Sequence, residues 1–205
     1  MTERSAASAL QRLHRDIRAC TRCADAGFIP RASPIVAGKP RDRVMIIGQA
    51  PGAVEVTTGL PFSGRAGAEL RRWLARAGID EDHLPYRTAM TKCFPGKTGG
   101  GAGDRKPSPP EIALCAPWLV RELETVRPQV VLLVGQLSIE RFWGKVALRD
   151  AVGKRRRDGR RVLIPLPHPS GASRWLNDPR HRRLLDRALR LVAREVSGPG
   201  RRARG

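Results

Sequence analysis

The fold class of this chain is decided by one stretch of sequence, Val44-Met45-Ile46-Ile47-Gly48-Gln49-Ala50-Pro51-Gly52. Four apolar residues end abruptly at a segment rich in Gly and Pro, which is the pattern of a buried strand that opens into a loop. Loops of this kind hold ligands in open α/β sheets. The stretch therefore predicts a buried strand followed directly by part of a binding site.

Strands and helices are predicted to alternate on both sides of this stretch. The apolar pattern indicates strands at 86–92, 129–135 and 161–166, and helices at 5–19, 64–77, 108–126 and 180–196, with a short helix through 142–143. The segment 108–111 is a typical capped helix start, whereas Pro117 predicts a kink or step near Cys115. The glycine-rich segment 97–103 predicts a flexible loop. Together these elements predict a three-layer α/β/α fold around a mainly parallel, four-stranded sheet.

The size and charge of the chain limit what it can be. Its 205 residues fit one domain that buries roughly 70% of the surface of its unfolded form, and we expect that domain over 1–196 with a disordered, basic tail at 197–205. The formal net charge is +20, and 16 Lys and Arg but only four Asp and Glu follow residue 153. Such concentrated charge favours a nucleic-acid partner over a merely solvated surface.

The cysteines and the apolar segments indicate a compartment. No run of about 18 apolar residues is present to cross a bilayer, and residues 1–4 lack the apolar core of a secretory signal, so we expect a cytoplasmic protein with no membrane partner. Cysteines there are more often metal ligands or redox groups than disulfides. The four are Cys20, Cys23, Cys93 and Cys115. Their spacing leaves open zinc, an iron–sulfur cluster or unrelated buried thiols.

Four segments form a recognisable set: GQAPGAVE at 48–55, GLPFSGRAG at 59–67, TKC at 91–93 followed by Cys115, and HPS at 168–170. Through this set the chain resembles the family 4 uracil-DNA glycosylases of bacteria and archaea. The resemblance covers about residues 15–192 and implies a uracil-DNA glycosylase fold. It also implies a 4Fe–4S cluster with a structural role near the DNA, held by Cys20, Cys23, Cys93 and Cys115.

The resemblance assigns roles to three residues of the pocket. Glu55 aligns with the catalytic carboxylate, which would orient or deprotonate a water molecule and stabilise the cationic sugar electrostatically. Phe62 would stack on a base flipped out of DNA, and His168 would donate a hydrogen bond to that base as negative charge develops on it. The plainer alternatives are a solvated surface glutamate, a core phenylalanine and a structural histidine.

Further residues would bind the base and the DNA. Backbone N–H groups at Gln49 and Ala50 could complete the set of donors to the base. The segment 170–175 would enter the minor groove, with Arg174 or Trp175 as the wedge, unless Trp175 packs beneath the last helix. The candidate DNA contacts are Arg65, Ser170, Arg174 and Trp175.

The sequence departs from the family where the uracil edge is read. The family usually carries Asn there, whereas this chain has Ala89, which offers no side-chain hydrogen bond. The loss of a bidentate contact costs roughly 1–3 kcal/mol of base discrimination. Gln49 replaces the usual Glu and resembles family 1, but the Asp that follows in family 1 is Ala50 here, so activity is expected to depend on Glu55.

The sequence as a whole predicts a monofunctional, monomeric glycosylase that acts on DNA containing uracil or another deaminated base and leaves an abasic site. No lysine is evidently placed as a Schiff-base nucleophile. An Arg-Ile-His element, typical of a branch that crosslinks to uracil-DNA, is absent, so covalent trapping is not expected. The alternatives are a glycosylase for hypoxanthine or xanthine, a non-catalytic iron–sulfur DNA-binding protein, and a zinc protein that binds RNA.

Overall fold

The strand predicted at the start of the deciding stretch is β1 (Val44–Gly48), and it lies inside a five-stranded sheet. The computed structural model describes residues 3–80, 82, 84–101, 103–170 and 174–198. The remaining strands are β2 (Tyr86–Ala89), β3 (Val130–Val134), β4 (Arg156–Asp158) and β5 (Arg161–Leu166). Their order in the sheet is β2-β1-β3-β5-β4, and every neighbouring pair except β5 and β4 is parallel.

The prediction of four strands is wrong, because β4 adds a fifth. It pairs antiparallel with β5 across a turn in which Gly159 has a φ of 57°. All three of its residues are exposed and charged, so no apolar pattern marks it, and charged side chains are typical of sheet edges. β2 is also shorter than the predicted 86–92, since it ends at Ala89.

The predicted helices occur near their expected positions, and the structure adds three short helices that were not predicted, at 22–25, 53–58 and 148–151. The helices are α1 (Glu3–Arg18), α2 (Arg22–Asp25), α3 (Ala53–Thr58), α4 (Arg65–Arg76), α5 (Pro109–Val126), α6 (Gln136–Trp143), α7 (Leu148–Ala151) and α8 (Pro179–Ser197), with a 3-10 helix at Arg174–Asn177. α5 continues through Pro117, so the helix is not interrupted near Cys115. α8 reaches one residue into the predicted tail, and 199–205 lie outside the described residues. None of the described helices has the length and apolarity to span a membrane.

The sheet separates two hydrophobic layers. Successive side chains of a strand point to opposite faces, so Met45 and Ile47 of β1 pack with α1 and α5, whereas Val44 and Ile46 pack with α4 and α8. Both faces of β1 and β3 are fully buried. This arrangement confirms the predicted α/β/α layers and explains why these strands are continuous apolar runs.

A buried polar network joins the sheet to α5 and α1. The Glu122 carboxylate, which is fully buried, accepts hydrogen bonds from the Tyr86 hydroxyl (3.0 Å) and the Thr88 hydroxyl (3.1 Å), and pairs with the Lys92 ammonium (2.8 Å). His14 Nε2 lies 2.8 Å from the same Tyr86 hydroxyl. The Lys92 ammonium also donates to the carbonyl of Ala89 (2.7 Å), so the network holds the end of β2 in place.

Candidate active site

The carboxyl ends of β1, β2 and β5 meet around a cavity of about 340 Å³, a volume within the usual range of small-ligand sites. In the sheet β1 lies between β2 and β3, and residues from the ends of β1, β2 and β5 and from the segments that follow them line the cavity. The cavity is lined by seven of the residues singled out in the sequence, namely Gln49, Ala50, Glu55, Phe62, Ala89, His168 and Ser170.

Phe62 lies in the turn between α3 and α4 and is held by its backbone. Its φ of 57° is in the left-handed region that non-glycine residues rarely adopt. Arg71 Nη1 donates to the Phe62 carbonyl (3.1 Å). A Cβ on Gly67, in the first turn of α4, would lie 1.7 Å from that same carbonyl oxygen, so only glycine fits at position 67. These contacts place the half-buried ring in the cavity wall.

Glu55 is a buried carboxylate that joins two loops. Its Oε2 accepts a hydrogen bond from the backbone N–H of Gly52 (3.0 Å), and its Oε1 accepts one from that of Gly64 (2.9 Å). Only 9% of the residue is exposed. Glu55 is therefore not a solvated surface group, and it fixes the β1 loop against the start of α4.

His168 follows β5 with its ring against Gly135, where a Cβ would lie 3.2 Å from the ring Cδ2. Burial lowers the pKa of His168, and the charge of Lys106 acts in the same direction. The backbone N–H of Ser170 donates to Nδ1 (3.2 Å), and the Ser170 hydroxyl lies 2.9 Å from it. Because Nδ1 accepts, the neutral ring carries its hydrogen on Nε2 and can donate from there.

The position expected to read the base edge presents only a methyl group. Ala89 lines the cavity at the end of β2, and the neighbouring Thr88 also contributes to the wall. The Thr88 hydroxyl, however, donates to the buried Glu122. Neither side chain therefore offers the paired hydrogen bonds of an asparagine in this arrangement.

Three of the predicted DNA contacts lie outside the cavity wall. Arg65 and Arg174 are exposed. Trp175 packs against the apolar layer beside α8, and its ring stacks on His181 with a centroid distance of 4.2 Å. Residues 171–173, the middle of the predicted minor-groove loop, lie outside the described residues.

Two cavity residues, Asp104 and Arg105, were not found by sequence reasoning. They follow the glycine-rich segment predicted to be a flexible loop, and no motif marks them. The segment is closed by a bridge between Lys97 and Asp104, and their side chains form an ion pair (2.8 Å). Arg105 forms two hydrogen bonds with the Glu111 carboxylate (2.7 and 2.8 Å), which ties the loop to the start of α5.

The four cysteines come from three parts of the chain, with Cys115 buried and the other three half-buried. Burial raises the pKa of the Cys93 thiol to about 12, and the other three cysteines contribute to this rise. Two N–H groups donate to sulfur, from the Lys92 backbone to Cys115 (3.2 Å) and from the Trp118 indole to Cys20 (3.2 Å). In the described part of the chain, no three His, Cys, Asp or Glu side chains form a site for a single metal ion.

Comparison with known proteins decides the family. The model of the Uracil DNA glycosylase superfamily matches residues 35–190, which include every residue that lines the cavity. The chain belongs to the uracil-DNA glycosylase superfamily. It is 30% identical over 192 residues to the Type-4 uracil-DNA glycosylase of Saccharolobus solfataricus, with 89% of this chain and 84% of the relative covered.

Other relatives are also named uracil-DNA glycosylases, of Type 4 or Type 5. The Type-4 uracil-DNA glycosylase of Thermotoga maritima is 31% identical over 158 residues, with 75% of this chain and 78% of the relative covered. A Type-5 uracil-DNA glycosylase from Thermus thermophilus is 33% identical over 128 residues, with 56% and 55% covered. Membership in the uracil-DNA glycosylase superfamily confirms the resemblance and the α/β/α fold predicted from the motifs.

Proposed function

We propose that this chain is a monofunctional uracil-DNA glycosylase, which flips uracil out of DNA and hydrolyses the N-glycosidic bond to leave an abasic site. The observation that carries the proposal is the convergence of Glu55, Phe62 and His168 on one cavity of nucleobase size. Relatives named Type-4 uracil-DNA glycosylase, 25% to 32% identical, support uracil as the base and DNA as the partner.

Each of the three side chains suits one requirement of the reaction. Bond cleavage leaves positive charge on the sugar and negative charge on the departing base. The ring of Phe62 would stack on the flipped base and hold it in the cavity. The Nε2–H of neutral His168 would stabilise the charge on the base, together with backbone N–H groups at Gln49 and Ala50, and the Glu55 carboxylate would stabilise the sugar cation.

The DNA would approach over the mouth of the cavity. Exposed Arg65 and Arg174 would contact phosphates on either side of the flipped nucleotide, and Ser170 would lie at the groove. The net charge of +20 would draw DNA to this surface and make binding weaker as salt rises. We expect the enzyme to act as a monomer in the cytoplasm, where thiol buffers keep its cysteines available as ligands.

The cysteines fit a 4Fe–4S cluster by their chemistry. A cluster takes one thiolate for each iron, so its four ligands lie farther apart than those of a single ion, and it favours N–H groups directed at sulfur. Cys20, Cys23, Cys93 and Cys115 would hold it. When bound, it would connect the end of α1, the loop after β2 and α5. Hydrolysis of the N-glycosidic bond involves no oxidation or reduction, so the role proposed for the cluster is structural.

Ala89 favours a second candidate within the same reaction class. Without an amide to pair with the uracil edge, the cavity has no side chain at that position to exclude a larger base. Hypoxanthine and xanthine, the deaminated purines, are the bases to test beside uracil. Substitution of Glu55 or His168 would abolish the removal of these purines as well as of uracil, because stabilisation of the sugar and of the leaving base does not depend on the base edge.

The test is a panel of oligonucleotides carrying uracil, hypoxanthine or xanthine, each single-stranded and in duplex, incubated with wild type, Glu55→Gln and His168→Ala. We expect wild type to release uracil and both variants to lose at least about 100-fold in single-turnover rate. Asp16→Asn, which alters an exposed ion pair of Asp16 with Arg121 on the α1–α5 surface, is the control and should match wild type. Tight DNA binding by a wild type that releases no base would favour the non-catalytic alternative.

The cluster is tested separately by anaerobic purification and analysis of iron, acid-labile sulfide and zinc. Four irons and four sulfides per chain, with the brown colour of such clusters, are expected for wild type. Cys115→Ala should lower both contents and the thermal stability. A colourless protein that contains zinc would contradict the assignment.

A further inference from the structure

A second carboxylate faces the cavity from the glycine-rich segment. Asp104 lines the cavity wall, and its Oδ1 pairs with the ammonium of Lys97 (2.8 Å). The same two residues form a backbone bridge, and the Thr98 N–H donates to the Gly103 carbonyl (2.8 Å). Asp104 is therefore held at the base of a closed hairpin.

The carboxylates of Asp104 and Glu55 lie on the same side of the cavity. A Cβ built on Gly52 would lie 2.7 Å from Asp104 Oδ2 and 2.8 Å from Glu55 Oε2. Both oxygens lie close to this one point, so the two carboxylates face the same small volume. The absence of a side chain at Gly52 leaves that volume open.

The two carboxylates differ in the hydrogen bonds that their oxygens accept. Both oxygens of Glu55 accept hydrogen bonds from backbone N–H groups, of Gly52 and Gly64. Among the described residues, nothing donates to Oδ2 of Asp104, whereas Oδ1 is taken by Lys97. Asp104 is also 40% exposed, so water reaches it, while Glu55 is buried.

We propose that Asp104 is the general base of this enzyme and that Glu55 positions the loops and supplies negative charge beneath the sugar. The inference rests on the proposed glycosylase function. Water bound at Asp104 Oδ2 attacks C1′ of the flipped nucleotide. As its oxygen forms the new bond to C1′, the electron pair of the C1′–N bond leaves with the base and the water proton passes to the Asp104 carboxylate.

The products of this step balance. The sugar gains a 1′-hydroxyl and becomes an abasic site, and the base departs as an anion that accepts a hydrogen bond from His168 Nε2. The proton on Asp104 then returns to solvent or protonates the base. The Lys97 ammonium pairs with Oδ1 of Asp104 (2.8 Å) and leaves Oδ2 available to accept the proton.

The test compares Asp104→Asn with Lys97→Met and with the matched control Asp16→Asn. Asp16 is an equally exposed aspartate whose Oδ2 pairs with Arg121 at 3.0 Å, away from the cavity. Single-turnover excision of uracil is measured beside the affinity for a duplex carrying 2′-fluoro-2′-deoxyuridine, which is bound but resists hydrolysis. Asp104→Ala is assayed with and without added formate.

We expect Asp104→Asn to lose about 100-fold or more in rate with little change in affinity, because general base catalysis contributes about 10²–10⁴-fold. Asp104→Glu and formate added to Asp104→Ala should restore part of the rate. Lys97→Met should retain most of it, as should Asp16→Asn.

Two results would overturn the assignment while leaving the glycosylase function intact. One is an Asp104→Asn enzyme as fast as wild type. The other is an equal loss in Asp104→Asn and Lys97→Met without rescue by formate, which would show that the ion pair only closes the hairpin. A wild type that releases no base from any substrate would instead refute the proposed function itself.

Discussion

The ring of Phe62 rests directly on the backbone of Gly48, the last residue of β1. A Cβ on Gly48 would lie 2.7 Å from the ring Cζ, closer than real contacts allow. The end of β1 therefore determines how deep the proposed stacking ring lies in the cavity.

Gly48→Ala should move the ring of Phe62 into the space of the base. We expect the single-turnover rate of uracil release to fall at least about tenfold, because misplacement by about 1 Å can cost about 10²-fold. The free energy of unfolding should fall by no more than about 1–3 kcal/mol, since the half-buried ring can shift. Gly198→Ala, whose Cβ would come no closer than 3.6 Å to any neighbour, is the control. An unchanged rate would show that the ring position does not limit the reaction.

The Ser170 contacts to His168 Nδ1 should matter less than the imidazole itself. Ser170→Ala removes the hydroxyl at 2.9 Å but keeps the backbone donor at 3.2 Å, so a rate loss of about tenfold or less is expected. His168→Ala should lose about 10²–10³-fold. The loss should shrink for 5-fluorouracil, whose anion is more stable and needs less help to leave. Equal losses for both bases would argue against a hydrogen bond to the departing base.

Glu122→Gln should be strongly destabilising. The change leaves the Lys92 ammonium buried beside a neutral amide. It also replaces one of the two oxygens that accept from the Tyr86 and Thr88 hydroxyls with an NH₂ donor, so one hydroxyl loses its acceptor. Breaking one side of a buried ion pair costs about 3–5 kcal/mol, measured here as the free energy of unfolding in urea. Asp16→Asn breaks an exposed pair and should cost less than about 1 kcal/mol. Similar values for the two variants would contradict this account of the network.

His14 should make the protein less stable in mild acid. Burial, with a smaller contribution from the charge of Arg18, lowers the pKa of His14 to about 4 from 6.5. Between these values the unfolded chain binds a proton that the folded chain does not, so stability falls as pH drops from 6.5 towards 4.

The measurement for His14 is the urea midpoint of wild type and His14→Gln from pH 7 to pH 4.5. The variant should show a shallower decline, because it lacks this proton uptake. The remaining decline includes His168, whose pKa is lowered in the same direction. Parallel curves for the two proteins would rule out His14 as a source of the pH dependence.

Local sequence determined much of the fold of this protein. The apolar runs predicted β1, β3 and β5 because fully buried parallel strands carry apolar side chains on both faces. The cap at Ser108 predicted the start of α5, and Ser108 N–H donates to Glu111 Oε2 (2.7 Å). The motifs at the ends of β1 and β5 predicted the pocket residues Glu55 and His168, which the structure brings to one cavity.

Tertiary structure alone decided the rest. The edge strand β4 has no apolar face, so its pairing with β5 leaves no pattern in the sequence. The sequence around Trp175 is compatible with both a DNA contact and packing beside α8. Only the tertiary structure shows that the Trp175 ring stacks on His181. Asp104 follows a run of glycines that predicts nothing but a loop. Its place beside Glu55 depends on the order of the strands, because contacts between loops far apart in the chain arise only when the sheet aligns the strand ends.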